Sequence, residues 1–174
     1  MEETEVKILN IDTEKIRKKL LDAGAKKIFK GLLIAKIFDF PDARLKKNGG
    51  YIRLRKAGDK TEMTFKEKIK SDRFKKRNEI ETHIADHDAV KEMLLKIGMK
   101  ETKSYKKIRE SYKLGNIQFD IDFYSEPVKL SPMIEVESTE EGVQKGVKLL
   151  GYEMKDTISK SIWSLLKNKN QEAR

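Results

Sequence analysis

Seven pairs of like charges stand two residues apart in the segments of this sequence that alternate polar and apolar residues. Four are acidic and three are basic: Glu3/Glu5, Glu79/Glu81, Asp120/Asp122 and Glu135/Glu137, against Arg53/Arg55, Lys66/Lys68 and Lys107/Arg109. Residues at i and i+2 share one side of a β-strand, so each pair repels itself and needs a counter-charge. Acidic pairs offer carboxylate oxygens to hard divalent cations, and basic pairs bind phosphate. A Mg²⁺ or Mn²⁺ ion between carboxylates and a polyphosphate would satisfy both sets at once.

The overall composition also favours an anionic partner. The chain has 174 residues and a formal net charge of +10, which suits nucleic acid, a membrane surface or a phosphorylated small molecule. It has no cysteine, which excludes disulfides, thiolate metal sites and a cysteine nucleophile. The glutamate-rich start is unlike a signal peptide, and no apolar run is long enough for a membrane span. We therefore expect a soluble cytoplasmic protein without a membrane partner.

The charged pairs lie in segments that alternate polar and apolar residues, which is typical of β-strands. Such segments cover residues 3–8, 51–55, 62–68, 77–84, 105–109, 118–122 and 134–137, and a more apolar run covers 33–40. About eight strands can close into an antiparallel barrel. We predict an α+β fold in which helices cover the apolar outer faces and the charged faces line a tunnel. An open sheet with one charged groove is the alternative.

Helical periodicity predicts the elements that cover the barrel. Helices are expected over 12–23, with Asp12 as N-cap, over 86–97, and from Ser138, whose spacing to Glu141 is that of a capping box, to residue 150. A shorter helix is expected over 159–167. Its apolar side around Trp163 could support a homodimer. The first two helices follow similar charged strands, which indicates an internal duplication. We predict one domain over residues 1–167, a basic mobile loop over 70–76 and a disordered tail over 168–174.

Several of these strands resemble the motifs of one family. Glu3-Thr4-Glu5-Val6-Lys7 looks like the ExExK signature of the CYTH, or triphosphate tunnel metalloenzyme, superfamily. Further similar motifs follow in order: Arg53-Leu54-Arg55, Thr64-Phe65-Lys66, Arg77-Asn78-Glu79-Ile80-Glu81, Lys107-Ile108-Arg109 and Glu135-Val136-Glu137. The superfamily includes class IV adenylate cyclases, thiamine triphosphatases and inorganic triphosphatases. The resemblance spans residues 3 to about 166 and implies an eight-stranded tunnel that binds a triphosphate.

The resemblance also implies residue roles. Divalent metal, Mg²⁺ or Mn²⁺, would be held by Glu3, Glu5 and Glu137, with Asp122 and Glu135 near a second ion. The triphosphate would contact seven basic residues, namely Lys7, Arg53, Arg55, Lys66, Arg77, Lys107 and Arg109. Glu5, Lys66 and Glu137 are the residues we expect to be catalytic, and the supporting tunnel carboxylates are Glu79, Glu81 and Asp120.

This chain departs from the family pattern in two places where a tyrosine is common. Ile37 precedes Phe38-Asp39, and Ile162 follows Ser161; in addition, the proline-containing loop before Glu135 is long. These departures bear on the substrate and the reaction more than on the fold.

The leading hypothesis is metal-dependent hydrolysis of inorganic triphosphate, thiamine triphosphate or a nucleoside triphosphate. Cyclisation of ATP to cyclic AMP, with loss of pyrophosphate, would use the same ligands and stays open. A non-catalytic nucleotide or polyphosphate binder also stays open. Nucleic acid is disfavoured as a partner, because acidic pairs match the basic ones and few aromatic residues are placed for base stacking.

Overall fold

The chain folds into a closed barrel of eight antiparallel strands, as the computed structural model shows for residues 2–71, 74–125, 128 and 130–164. The strands follow the order β1-β5-β4-β3-β2-β6-β7-β8 around the barrel. Their bounds are β1 Glu2–Leu9, β2 Lys26–Asp39, β3 Gly50–Ala57, β4 Lys60–Ile69, β5 Lys75–Ile84, β6 Lys100–Leu114, β7 Ile117–Tyr124 and β8 Met133–Ser138. The predicted α+β fold with an eight-stranded barrel is confirmed.

The barrel has an internal two-fold relation in its topology. The first half of the chain contributes the unit β1 to β4 and the second half the unit β5 to β8, each with a helix after its first strand. Exchanging β1 with β5, β2 with β6, β3 with β7 and β4 with β8 leaves every pairing in the ring intact. This symmetry is consistent with the predicted duplication.

Helices lie outside the barrel. The α-helices are α1 Thr13–Asp22, α2 Arg44–Lys47, α3 His87–Lys96 and α4 Glu140–Leu149, and a 3₁₀ turn covers Met154–Asp156. Asp12 caps α1 as predicted, because its side chain accepts a hydrogen bond from Lys15 N at 3.1 Å. Residues 162–164 are helical, whereas the rest of the predicted fourth helix and the tail 168–174 lie outside the described residues.

The predicted N-cap of the third long helix is wrong by one residue. Ser138 is the last residue of β8, where it pairs with Thr4, and its hydroxyl donates to Asn116 O at 3.1 Å. Strand pairing therefore uses Ser138, and the cap falls to Thr139, whose hydroxyl accepts from Gly142 N at 3.2 Å. The short helix α2 was not predicted; the Asp39 carboxylate accepts hydrogen bonds from its Leu45 and Lys46 amides.

The hydrophobic core surrounds the barrel instead of filling it. On one side, Val6 and other outward residues of β1, β7 and β8 pack under α1 and α4, where Ile16 and Val147 are fully buried. On the other side, Phe38 and Leu54 pack beneath Leu94 of α3. Burying one such side chain contributes about 1.5–3 kcal/mol, so these outer layers stabilise the fold. The interior is thereby left for polar side chains.

No helix among the described residues is long and apolar enough to cross a membrane.

Candidate functional site

The barrel encloses a cavity of about 940 Å³, which we call the tunnel. Eleven of the fifteen predicted site residues line it: Glu5, Lys7, Arg53, Arg55, Lys66, Arg77, Glu81, Lys107, Arg109, Glu135 and Glu137. Three others, Glu79, Asp120 and Asp122, bond to basic side chains that line it. Glu3 is placed by its backbone opposite Arg77 of β5, but its side chain lies outside the described part. The alternation of the strands thus gathers the charged faces as predicted.

Arg109 is the centre of the charge network on β6, β7 and β8. Its guanidinium bonds Asp122 in a bidentate manner, with both N–O distances 2.7 Å, and reaches Asp120 at 2.6 Å and Glu135 at 2.5 Å. Lys107 Nζ adds a bond to Asp122 at 2.6 Å. Burial alone would lower the pKa of Arg109, but these carboxylates raise it well above the ordinary value. Arg109 therefore stays charged.

A second cluster is centred on Glu5 of β1. The strand register sets Glu5 opposite Glu137 of β8 on one side and Lys75 of β5 on the other. Lys7 Nζ bonds Glu5 Oε1 and reaches Glu135 at 3.1 Å, while Lys75 Nζ donates to the same Glu5 oxygen at 2.6 Å. Burial would raise the pKa of Glu5, but the two lysines outweigh it and lower that pKa to about 2. Burial lowers the pKa of Lys75 to about 8 in spite of Glu5.

The arginines of β3 and β5 have unused donors. Arg53 donates from Nη2 to Thr64 at 3.1 Å and to Glu62 at 3.2 Å, and Arg55 pairs with Glu62. Within the part of the chain that is described, the buried Nε atoms of Arg53, Arg55 and Arg77 have no hydrogen-bond partner. Burial and the neighbouring Arg53 charge lower the pKa of Arg55. Buried donors and like charges together favour an incoming anion.

One end of the tunnel is aromatic, a feature that the sequence reasoning missed. Tyr105 lies 5.9 Å, centroid to centroid, from both Tyr124 and Trp163, and Tyr51 packs in the same cluster. This cluster also contains Ile37 and Ile162, the two residues at the family's tyrosine positions. Tyr105 shares a strand face with Lys107 and Arg109, so counting by two along the strand would have indicated that it lies in the tunnel. The chain therefore has tyrosines at this end, although on other strands.

Lys75 is the other missed residue. The sequence predicts a mobile loop over 70–76, but β5 already begins at Lys75, so the predicted loop is too long. Lys75 stands two residues before Arg77 and so shares its inward face, which period-two counting would have indicated.

The chain after α4 returns to close a gap beside β1. Pairing between β1 and β5 ends at Glu5 and Lys75, and beyond it Lys7 exchanges two backbone hydrogen bonds of 2.9 Å with Ile158. This contact leads the following residues 161–164 to the tunnel wall.

The donor chemistry fits a hard divalent cation. Glu5 and Glu137 face each other across β1 and β8, Glu135 lies on the same face of β8, and all three line the tunnel. In the described residues, no three carboxylates or histidines are already grouped to hold a metal ion. Glu5 and Glu135 are instead paired with lysine and arginine. Carboxylates are the preferred ligands of Mg²⁺ and Mn²⁺, so these residues would suit such an ion once the ammonium groups withdraw.

The fold and its interior define a closed antiparallel barrel with a charged tunnel. The family model for the CYTH domain matches residues 1–162, and the chain belongs to this family. A Methanocaldococcus jannaschii protein described as a candidate adenylate cyclase is 30% identical over 122 residues, or 70% of each chain.

Solved structures share the fold. The PH1012 protein of Pyrococcus horikoshii is similar with a TM-score of 0.78 and 25% identity, covering 92% of this chain and 96% of its own. The candidate adenylyl cyclase HpAC1 of Hippeastrum, described as having a dominant triphosphatase activity, has a TM-score of 0.71 and 17% identity. That match covers 97% of this chain and 95% of the other.

Proposed function

We propose that this protein is a divalent-metal-dependent phosphohydrolase that binds a triphosphate in the tunnel. The observation that carries the proposal is the set of buried, unpartnered Nε donors on Arg53, Arg55 and Arg77, which line the same cavity as Glu5 and Glu137. A buried guanidinium donor without an acceptor is costly, and a phosphate oxygen would satisfy it with a charge-assisted bond.

The basic residues would act on the phosphate chain. Arg53, Arg55 and Arg77 would hold its oxygens, and Lys66, paired with Glu79 in the structure, would bind a phosphate oxygen as charge develops in the transition state. Glu5 and Glu137, with Glu3, would hold the divalent cation, while Asp122 and Glu135 would support a second ion. A bound Mg²⁺ or Mn²⁺ would supply Lewis-acid polarisation of the phosphate and activate water. Asp120, Glu79 and Glu81 would keep the basic side chains oriented.

Conversion of ATP to cyclic AMP and pyrophosphate is the second candidate. Two observations favour it: the Methanocaldococcus relative is described as a candidate adenylate cyclase, and Tyr51, Tyr105 and Tyr124 offer an apolar end to the tunnel. An organic group on the triphosphate could lie against such rings. Hydrolysis remains the leading proposal, because the charged residues of the tunnel would bind a triphosphate with or without an organic group, whereas cyclisation requires a nucleoside.

Product analysis distinguishes these reactions. We would incubate the protein with Mg²⁺ or Mn²⁺ and, separately, ATP, thiamine triphosphate and inorganic triphosphate, and resolve the products by phosphorus NMR. Orthophosphate that depends on metal, and that is lost in Glu5→Gln and Lys66→Ala, is the expected result. Lys106→Ala is a matched control, because Lys106 lies exposed on the same strand as Lys107. Cyclic AMP with pyrophosphate would establish the second candidate, and no turnover with any substrate would leave a binding protein.

A further inference from the structure

Two ammonium groups share one carboxylate oxygen in the tunnel. Lys7 and Lys75 both donate to Glu5 Oε1, Lys75 at 2.6 Å, although like charges so close repel each other. Together they bring a charge of +2 to a carboxylate that faces Glu137 across the strand pair. A single divalent cation carries the same charge and prefers these oxygens. The pair of lysines therefore provides the electrostatic equivalent of the ion.

The two lysines differ in how firmly they are held. Lys7 also reaches Glu135 at 3.1 Å, and its side chain is only 2% exposed. The Lys75 side chain is 18% exposed, and among the described residues its only hydrogen bond and ion pair are with the Glu5 side chain. Lys75 is therefore the group that can leave Glu5 at the lower cost, since it breaks one contact and already borders the cavity.

We propose that Lys75 is the resident counter-ion of the metal position, held on Glu5 in the metal-free protein and displaced when a divalent cation binds. This inference rests on the proposed function, because it presumes that Glu5 is a metal ligand. A displaced Lys75 stays on the strand face of Arg77, where a phosphate chain can receive it. Metal alone then leaves the displaced Lys75 without an anionic partner, whereas a triphosphate would provide one, so each ligand strengthens the binding of the other.

The test measures binding of Mn²⁺ alone by electron paramagnetic resonance, without substrate. Lys75→Gln should lower the dissociation constant about tenfold, because a charged hydrogen bond of ordinary strength no longer has to be broken. Lys76→Gln removes the same charge at the next position, where the side chain faces outward and pairs with Glu140, and should leave the constant unchanged. Lys75→Met repeats the test with a side chain that cannot hydrogen-bond.

A second measurement needs no variant. In the wild-type protein, Mn²⁺ should increase the acetylation rate of Lys75 relative to Lys76, followed by mass spectrometry, because the displaced ammonium enters the tunnel. If Mn²⁺ leaves that ratio unchanged or lowers it, or if both Lys75 variants bind Mn²⁺ no more tightly than the wild type, the inference is overturned while the proposed metal site stands. If neither the wild type nor the variants bind Mn²⁺, the metal site itself is refuted, and the inference with it.

Discussion

Replacing Arg109 by methionine should destabilise the fold strongly, because the change removes the cation at the centre of a buried charge network. Arg109 makes four charge-assisted hydrogen bonds to three carboxylates, and both Asp120 and Asp122 are essentially inaccessible to solvent. Methionine keeps most of the side-chain volume, so the effect reports the lost charge. The cost depends on which carboxylates keep another partner.

The structure allows that cost to be worked out. Without Arg109, Asp122 keeps Lys107 at 2.6 Å and Glu135 keeps Lys7 at 3.1 Å, but among the described residues Asp120 keeps only the Gln118 amide at 3.1 Å. One buried carboxylate is therefore left without a cation. Breaking a buried ion pair on one side typically costs about 3–5 kcal/mol.

The assay is unfolding in guanidinium chloride, followed by far-UV circular dichroism. We expect Arg109→Met to lower the free energy of unfolding by about 3–5 kcal/mol, and Arg109→Met with Asp120→Asn to recover part of that loss because the stranded charge is gone. Arg44→Met is the control, since Arg44 and its partner Asp42 are more than half exposed and such pairs contribute little to stability. A loss for Arg109→Met as small as that of the control would refute the reasoning.

Two further predictions concern the outer layers. Burial raises the pKa of Glu110, but hydrogen bonds from Arg17 and Lys30 lower it to about 2, below the ordinary 4.5. The contribution of the Glu110 carboxylate to folding stability is therefore full above about pH 4.5 and disappears as the pH falls through 2. Glu110→Gln should therefore cost about 1–2 kcal/mol at pH 7 and little at pH 2 in chemical denaturation, and a deficit independent of pH would contradict this. In Gly146→Ala the added Cβ would lie 2.7 Å from Val136 Cγ1. This clash is expected to cost about 1–3 kcal/mol of stability, more than the gain of about 1 kcal/mol in helix propensity. A raised melting temperature would contradict this, because it would mean that α4 shifts to make room for the methyl group.

The barrel could be predicted because its strands carry a strong period of two. Glu3, Glu5 and Lys7 alternate with Thr4, Val6 and Ile8, and such a pattern is hard to satisfy in any element other than a strand. The first half of β2, from Lys26, lacks this alternation and was not predicted; pairing with the long strand β6 holds it in place. The helix α2 has only four residues, too few for a helical period.

The sequence predicts which face of a strand each site residue occupies, but not which residue its side chain bonds. Counting by two puts Lys107 and Arg109 on the tunnel side, yet their bonds to Asp122 depend on the register between β6 and β7, which tertiary pairing sets. The same holds for Lys75, which meets Glu5 only through the register of β1 with β5. The tyrosine cluster arises likewise from separate strands that the barrel brings together.

Equilibrium binding of inorganic triphosphate tests the central claim most directly. By isothermal titration calorimetry with Ca²⁺ in place of the catalytic metal, we predict one triphosphate per chain, and an affinity that falls at least about tenfold in Arg55→Met, which loses a charge-assisted contact. Lys106→Met, on the exposed outer side of β6, should bind like the wild type. No binding, or binding that Arg55→Met leaves unchanged while Lys106→Met weakens it, would contradict a triphosphate site inside the tunnel.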